Sequence, residues 1–483
     1  MRKNRLAGII AACAVVVIVV ILLVMFHPWR PSAAPIMYSL SVDVSPPGAG
    51  SVSSSPSGDQ YEAGARVTLT ASPANGYRFV DWTGDVSTVT DVNSASASIS
   101  MNDDYSITAN FAVEVTQIRD WYDLDAVRDN LGGSYMLMND LDSTITGYGE
   151  LASETADVGM GWEPIGTSDT GFTGSFDGQG HEIRNLFINR PDQDHVGLFA
   201  RVSWTHPTEN VGIIENVGLV NARVTGHDRV GALVGDNSGI VNHSYSTGGV
   251  TSGWTYVGGL VGYDNGGLVS NSYSAGSATG FRYVAGLVGG ITGTRTVREG
   301  TVTNCYSTSN VTGYTRTGGL VGNIVADGKV SDSYFAGSVN GTRWVAGVVA
   351  ENYGGNVTNC YSTGDVTGRD YSGYVGGLVG FNLWGSINSC YSTGRVDGKG
   401  LVGGLVGDNS EGTVDNSCWD IETSGQVTSD GGTGRTTTQM KNMATFTGLG
   451  WNITAVANPG ARDTACAWNI VEGETYPFLS WQL

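Results

Sequence analysis

Apolar and polar residues alternate along most of this chain, in pieces too short for any one of them to stand alone. Between residues 38 and 112, YSLSVDV, SVSSS, ARVTLTA, YRFVDWTG, SASISM and YSITANF alternate in strand fashion, punctuated by PPGAG, SPSGD, AGA and ANG. A period of two between Gly-, Pro- and Asn-rich turns predicts a small all-β module. Beyond it, WYDLDAVRDNL sets Trp121, Leu124, Val127 and Leu131 at helical spacing, and YMLMNDL follows as a strand. An amphipathic helix ahead of a repetitive β region predicts a cap, covering an edge that would otherwise template aggregation.

The repetition that follows is periodic. Gly-Leu-Val-Gly and its variants recur with their apolar residue at Leu233, Leu260, Leu287, Leu320, Val348, Leu378 and Leu405, 27 to 33 residues apart. A second marker, (Ser/Cys)-Tyr-Ser, falls at Ser244, Ser272, Cys305, Ser333, Cys360 and Cys390, with Ser417 in its last aligned place. The two markers drift together, so the unit is a structural repeat with insertions in its loops. VGLFARV (196–202) and IENVGLVNARVTG (214–226) are degenerate earlier copies. Each unit offers three strand-like pieces: the VGGLVG run, the GxVxNCYS run and the xVTG run. Stacked at the ~4.8 Å separation of paired strands, like pieces form three parallel sheets around one core. Glycine is expected at the corners, where positive φ or lack of room excludes a Cβ.

The expected fold class is therefore mainly β: a parallel β-helix, or solenoid, with N- and C-terminal caps, preceded by a small all-β repeat domain and one N-terminal transmembrane helix. The expected division is 1–27 cytoplasmic stub and transmembrane anchor, 28–37 linker, 38–112 all-β module, 113–173 linker and N-terminal cap, 174–432 solenoid, and 433–483 C-terminal cap. The anchor rests on MRKNR followed by an unbroken apolar run of 21 residues, Leu6 to Phe26. That length crosses a bilayer as a helix, whereas a cleavable signal's apolar stretch is usually shorter. Arg2, Lys3 and Arg5 favour a cytoplasmic N-terminus, which places everything after about residue 35 outside the cell. Ser32-Ala33-Ala34 offers a second-ranked cleavage site, and Cys13 reads as a plain membrane cysteine. In the C-terminal cap, Thr436-x-x-Gln439 predicts a capping box opening a short helix. Met440, Met443, Phe446, Trp451, Trp468 and Trp481 are expected to plug the last coil.

Two known families share these motifs. GAGSVSSSPSGDQYEAGARVTLTASPANGYRFVDWTGD, ending in YSITANF, resembles the divergent internalin-B-type bacterial repeat. That resemblance implies an extracellular spacer or adhesive module. The GLVG strings (ALVG at 232–235 and GVVA at 347–350 being variants) resemble the GLUG-motif family. So do the FTGSFDGQGHEIRNLFI start, the SCWDIETSGQ exit and the tail TTTQMKNMATFTGLGWN…W…YPFLSW, so that the likeness spans 118–483. It implies a surface-located β-solenoid, often found in adhesins and also beside immunoglobulin A metallopeptidase domains.

Composition narrows the partners. Glycine occupies 72 positions, only 14% of residues are charged, and the formal net charge is −20. With no basic patch to neutralise phosphates, nucleic acid is excluded as a partner. A zinc peptidase needs His-Glu-x-x-His, yet the one His-Glu pair, His181-Glu182, continues Ile-Arg-Asn. No catalytic residue, metal site or cofactor is expected. SDGGTGR (429–435) is superficially like glycine-rich calcium repeats but occurs once, so calcium is possible and unsupported. Asp365 beside Arg395 on the next coil reads as a solvated pair. Cys305, Cys360 and Cys390 share a column with serines, which predicts free buried thiols, since in-register strands set neighbouring Cβ atoms side by side. Asn237, Asn352, Asn382 and Asn409, four places after the motif residue, predict turn chemistry and stacking between coils.

One pattern points outward. Four residues before the motif stand Arg229, Tyr256, Tyr283, Arg316, Trp344, Tyr374 and Leu401. Six before stand His227, Trp254, Phe281, Tyr314, Thr342, Ser372 and Lys399. The position three before the motif, Val230 and its equivalents, is Val in six of seven copies, a core column, so the residues four and six before the motif are expected to face solvent. Trp254, Tyr256, Phe281, Tyr283, Tyr314, Arg316, Trp344 and Tyr374 are the candidate binding residues, for an extracellular glycan or a surface protein. Three readings follow in order: an adhesin or glycan-binding display module, a structural envelope spacer, and an enzyme acting on polysaccharide. For the first two, the discriminating observation is whether these rings are exposed or merely packed on one another.

Overall fold

The computed structural model describes residues 34–482 except 75, 206–209, 294–297 and 372. The expected membrane segment (6–26) and Cys13 lie outside the described residues. Among those residues no helix is long and apolar enough to cross a membrane. The chain divides into two compact units, Met1–Val113 and Glu114–Leu483.

In the first unit a four-stranded sheet orders Gln60–Glu62, Met37–Ser45, Tyr105–Val113 and Tyr77–Gly84, and a three-stranded sheet orders Gly50–Ser55, Arg66–Pro73 and Ser96–Ser100. Met37–Ser45 and Tyr105–Val113 pair in parallel, and the other pairs are antiparallel. The inward places of the period-two pattern supply the core: Val67, Leu69, Trp82, Ile99 and Ile107 are buried. The Trp82 indole N–H donates to Ser94 O at 2.8 Å, satisfying the one polar atom that this ring carries inside.

In the second unit, mainly β like the first, parallel strands stack in three long sheets of eight, eleven and twenty strands. Register follows the sequence alignment. The motif column is continuous through Leu233 N to Leu260 O (3.0 Å), Leu287 N to Leu320 O (3.2 Å) and Leu378 N to Leu405 O (2.9 Å). The Tyr of the second marker aligns from Tyr245 through Tyr273, Tyr306, Tyr334, Tyr361 and Tyr391 to Cys418. VGLFARV takes its expected place, with Phe199 opposite Val234. The eleven-stranded sheet runs back to Val115–Ile118, and the helix Trp121–Asp125 beside it buries Trp121 and Leu124.

Two of the three pieces read as single strands contain a bend. The VGGLVG run begins in the twenty-stranded sheet (Thr255–Gly258), turns at Gly259 and Leu260, and continues in the eight-stranded one (Val261–Asn265). The GxVxNCYS run turns between Thr301–Thr303 and Tyr306–Ser307 at Asn304, whose φ is 53°. A one-residue turn needs neither Gly nor Pro, so it leaves no punctuation in the sequence.

Of the two reasons expected for the repeat glycines, positive φ and lack of room, the second holds at the motif. Gly262 and Gly380 do not have positive φ. They are excluded volumes: a Cβ on Gly262 would lie 2.6 Å from the backbone of Arg229, Val230 and Gly235, and one on Gly380 would lie 2.7 Å from Ala350 O. At the turn before each motif the left-handed conformation falls on bulky residues, as the next subsection describes.

The inner columns behave as predicted. Cys305, Cys360, Cys390 and Cys418 are buried free thiols. Burial pushes the Cys305 thiol up to about 12. Cys390 Sγ accepts from Cys360 N at 3.3 Å, the place that Ser333 Oγ takes beside Cys305 N. In the asparagine column Asn352 donates to Asn382 at 2.8 Å and Asn382 to Asn409 at 2.6 Å. SDGGTGR closes the last coil. Ser429 Oγ accepts from Val406 N (2.8 Å) and Asp430 from Asn409 N (2.7 Å), so these side chains occupy an otherwise open strand edge.

The capping box is present: Gln439 N donates to Thr436 Oγ1 at 3.3 Å and Thr436 N to Gln439 Oε1 at 2.9 Å. The tail it opens does not plug the end of the core. It folds back along the side of the last coils, Trp468 lying 6.0 Å from Tyr361 and 5.8 Å from Tyr391, and Trp481 6.0 Å from Tyr334. Tyr391 and Tyr361 are buried in one cluster with that cover, which supplies Pro477 O and Gln482 Nε2 as partners for their hydroxyls.

Candidate functional site

The eight candidate residues separate into two columns with different fates. Trp254, Phe281 and Tyr314 stand on the outside, 53%, 43% and 44% exposed. With His227 they form one file of parallel rings: His227–Trp254 6.2 Å, Trp254–Phe281 6.1 Å and Phe281–Tyr314 5.1 Å, at interplanar angles of 7°, 13° and 5°. Stacking turns each ring's faces toward its neighbours and leaves the edges to solvent. Tyr314 ends the file, because Thr342 takes the same place on the next coil.

Tyr256, Tyr283, Arg316 and Trp344 do not point freely outward. Their φ values are 53°, 56°, 57° and 52°, as Arg229's is 53°. The chain bends at each, and the side chain folds onto the neighbouring strand of the eight-stranded sheet. Tyr256 packs on Tyr283 (4.6 Å, 11°) and Tyr263 (4.6 Å), and burial raises its phenol's pKa. Arg316 lies between Tyr283 (5.1 Å) and Trp344 (3.7 Å) while its Nη2 donates to Glu351 at 3.1 Å. Trp344 and Tyr374 both close on Phe381, at 5.5 Å and 4.9 Å. Arg229 repeats the arrangement with Asp236 (2.6 Å) and Tyr263. A large residue at φ near +55° costs about 1–2 kcal/mol. A stacked ring pair returns about 0.5–1.5 kcal/mol and a partly desolvated cation–π contact about as much. Each bend is thus held by the stack that it creates.

Sequence reasoning used the marker tyrosines for alignment and missed them as a surface. Tyr245, Tyr273, Tyr306 and Tyr334 stack at 4.8, 4.7 and 5.0 Å with their rings within 7° of parallel. Tyr245, Tyr306 and Tyr334 line a groove, with Tyr273 stacked between the first two, and its other side is the left-handed corner column Asn216, His243, Asn271 and Asn304. One stretch of it, about 420 Å³, is lined by His243, Asn271, Asn304, Tyr306, Tyr334 and the tail's Trp481 and Gln482; a second, about 380 Å³, continues past His243 to Tyr245 and Asn216. Tyr245 donates to Glu182. The hydroxyls of Tyr273 and Tyr306 make no hydrogen bond among the described residues, and burial pushes the Tyr306 phenol up to about 12. The available signal was the persistence of Tyr at one place in six coils where the flanking Ser and Cys were already accounted for by the core.

The remaining chemistry is dispersed. Asp365 accepts from the backbone N–H of Arg395 (3.1 Å), while the Arg395 side chain reaches Asp397 at 3.6 Å. His181 pairs with Asp140 at 3.2 Å. Among the described residues no three His, Cys, Asp or Glu side chains converge as a metal site would require.

A two-unit chain with a small β module and a stack of parallel coils defines the class, and its motifs give the members. Residues 40–114 match the divergent InlB B-repeat domain, and residues 345–367 and 371–397 match the GLUG motif. The chain therefore carries a divergent InlB B-repeat domain followed by GLUG-motif repeats. Halomucin of Haloquadratum walsbyi is 38% identical over 141 residues, covering 29% of this chain and 1% of halomucin. A protein of Evansella cellulosilytica provisionally named a Gly-rich membrane protein is 36% identical over 125 residues, covering 25% of this chain and 13% of the relative. The chain thus spans a small fraction of the length of either relative. A crystal structure of a protein provisionally named an immunoglobulin A1 protease, from Bacteroides ovatus, aligns over 77% of this chain and 93% of its own, at 21% identity and a TM-score of 0.43. A second protein named IgA1 protease aligns over 73% of this chain and 29% of its own, at 15% identity and a TM-score of 0.37. Likeness at that level carries no inference about activity.

Proposed function

We propose that this protein is a membrane-anchored cell-surface solenoid that adheres to an extracellular partner through the file His227, Trp254, Phe281 and Tyr314. The observation that carries the reading is the exposure of three large aromatic side chains in one file on successive coils, an apolar strip that a surface otherwise seldom keeps. The InlB-type repeat and the relative named as a membrane protein support display at the cell surface. The anchor is the apolar run 6–26. The strip presents ring edges along its length, so a partner would contact it edge-on. Cells displaying the full chain should adhere to their target surface, and W254A with F281A should abolish adhesion while the melting temperature moves by no more than about 2 °C.

A second reading, a structural spacer, is favoured by the near-parallel stacking of the same rings, which stiffens the sheet without any ligand. If the double variant adheres normally but melts well below the parent, the spacer reading replaces the adhesive one.

A further inference from the structure

The tyrosine groove lies apart from the adhesive strip and has its own chemistry. Its lining is neutral and hydrogen-bonding: phenol hydroxyls, asparagine amides, one imidazole and the edge of an indole. The Tyr273 and Tyr306 hydroxyls are without partners among the described residues, and the rings beneath them cannot move to find any, being clamped on both faces. The Asn amides are likewise fixed, Asn271 Nδ2 donating to Asn242 at 2.9 Å and Asn304 Nδ2 to Asn271 at 3.4 Å. The result is a rigid row of donors and acceptors repeating at the coil spacing, 4.7–5.0 Å by ring centroids. The row stops where Trp481 packs on Tyr334 and donates to Asp332 O at 2.9 Å.

We infer that this groove binds a neutral, extended polysaccharide chain lying along the stacking direction, roughly one sugar per coil over Tyr245, Tyr273 and Tyr306. Three properties select that ligand. Arg184, the cation beside Tyr245, is already paired with Glu182, so a polyanion finds no free charge to pair with there, and the chain's net charge of −20 repels one. An extended peptide advances about 3.3 Å per residue, so its groups fall out of step with a row spaced near 4.8 Å within two or three residues. A pyranose chain carries hydroxyls on every unit and on both edges, and advances by close to one coil per sugar, so a phenol and an amide lie beside every unit. Edge-on rings suit this mode, because hydroxyl contacts use the phenol oxygen and leave the stacked faces undisturbed.

The test is calorimetric titration of the full chain in detergent with cellohexaose, mannohexaose and xylohexaose, against polygalacturonate and an uncharged decapeptide. At least one neutral hexaose should bind. Y273F with Y306F keeps the ring stack and removes only the two hydroxyls, and should weaken binding at least tenfold with the melting temperature nearly unchanged. N271G with N304G keeps the left-handed corners, which glycine adopts without strain, and should weaken it similarly. Binding of only the polyanion or the peptide, no binding of any neutral hexaose, or unchanged affinity in both double variants would overturn the inference. W254A with F281A should leave hexaose binding intact, so the failure of either site is read separately.

Discussion

Asn237 donates its side-chain amide to Asp264 Oδ1 at 2.6 Å in the interior of the solenoid, where Asp264 has no exposed surface. On later coils the same column holds asparagine on asparagine, and each also donates to a backbone carbonyl three residues on, Asn382 to Gly385 O at 3.2 Å. Asp264 has no amide to give, and its Oδ2 finds no hydrogen-bond partner among the described residues.

Burial first, and the nearby Asp236 charge, push the Asp264 carboxyl up to about 8 from an ordinary 3.8. Between those values the folded protein keeps a proton that the unfolded chain has lost. Stability is therefore greatest below the lower value, falls as pH rises through the window, and levels off above about 8. D264N should remove that slope and raise stability at pH 8–9 on the order of a few kcal/mol, its new amide donating to Gly267 O. Parallel pH–melting curves for the two proteins would show that Asp264 does not titrate as its burial requires.

Steric exclusion at the repeat glycines predicts a graded response. G262A should prevent folding or lower the melting temperature by more than about 10 °C, since its Cβ would meet three backbone atoms at 2.6 Å that cannot retreat. C305S should stay within about 1 kcal/mol, because Ser272 in the same column already donates to Ser270 O. Similar melting shifts in the two variants would contradict the column geometry.

Arg316 and Glu351 form a nearly enclosed ion pair, 16% and 11% exposed. R316A should cost about 3 kcal/mol by stranding the carboxylate, and E351A about as much. The double variant should cost less than the sum by about 1–3 kcal/mol. R316K keeps the charge but not the flat stack on Trp344, and should fall between parent and R316A. Additive losses in urea unfolding would mean that the pair does not interact.

The folded-back tail protects a strip of the solenoid. W481A should uncover Tyr334 and loosen the cover on Tyr361, raising binding of a hydrophobic dye and the tendency to aggregate while circular dichroism of the sheets persists. Unchanged dye binding would place the tail's weight elsewhere.

Register was fully legible, because two markers drifting together left only one alignment, and the core columns followed from it. The bends were not. Asn304 and Tyr256 turn the chain in a single left-handed residue, and a side chain of any size there looks like another strand position. For the same reason the ribbon was half read: Trp254, Phe281 and Tyr314 face solvent as the alternation requires, whereas Tyr256, Tyr283, Arg316 and Trp344 are swung inward by the bend that they occupy. Trp481 lies 149 residues from the Asp332 carbonyl that it caps, and no local pattern encodes a contact of that range.

The coil-to-coil bonds, such as Leu233 N to Leu260 O and Leu378 N to Leu405 O, all run along the direction of stacking. A pull along that direction loads the coils in series rather than in shear, so they peel from an end singly. Each release frees one unit of 27–33 residues, about 90–110 Å of slack. The solenoid is thus a tether that lengthens in steps under load. Single-molecule stretching should trace a sawtooth of that period, and one rupture of the whole stack would show instead that it breaks as a block.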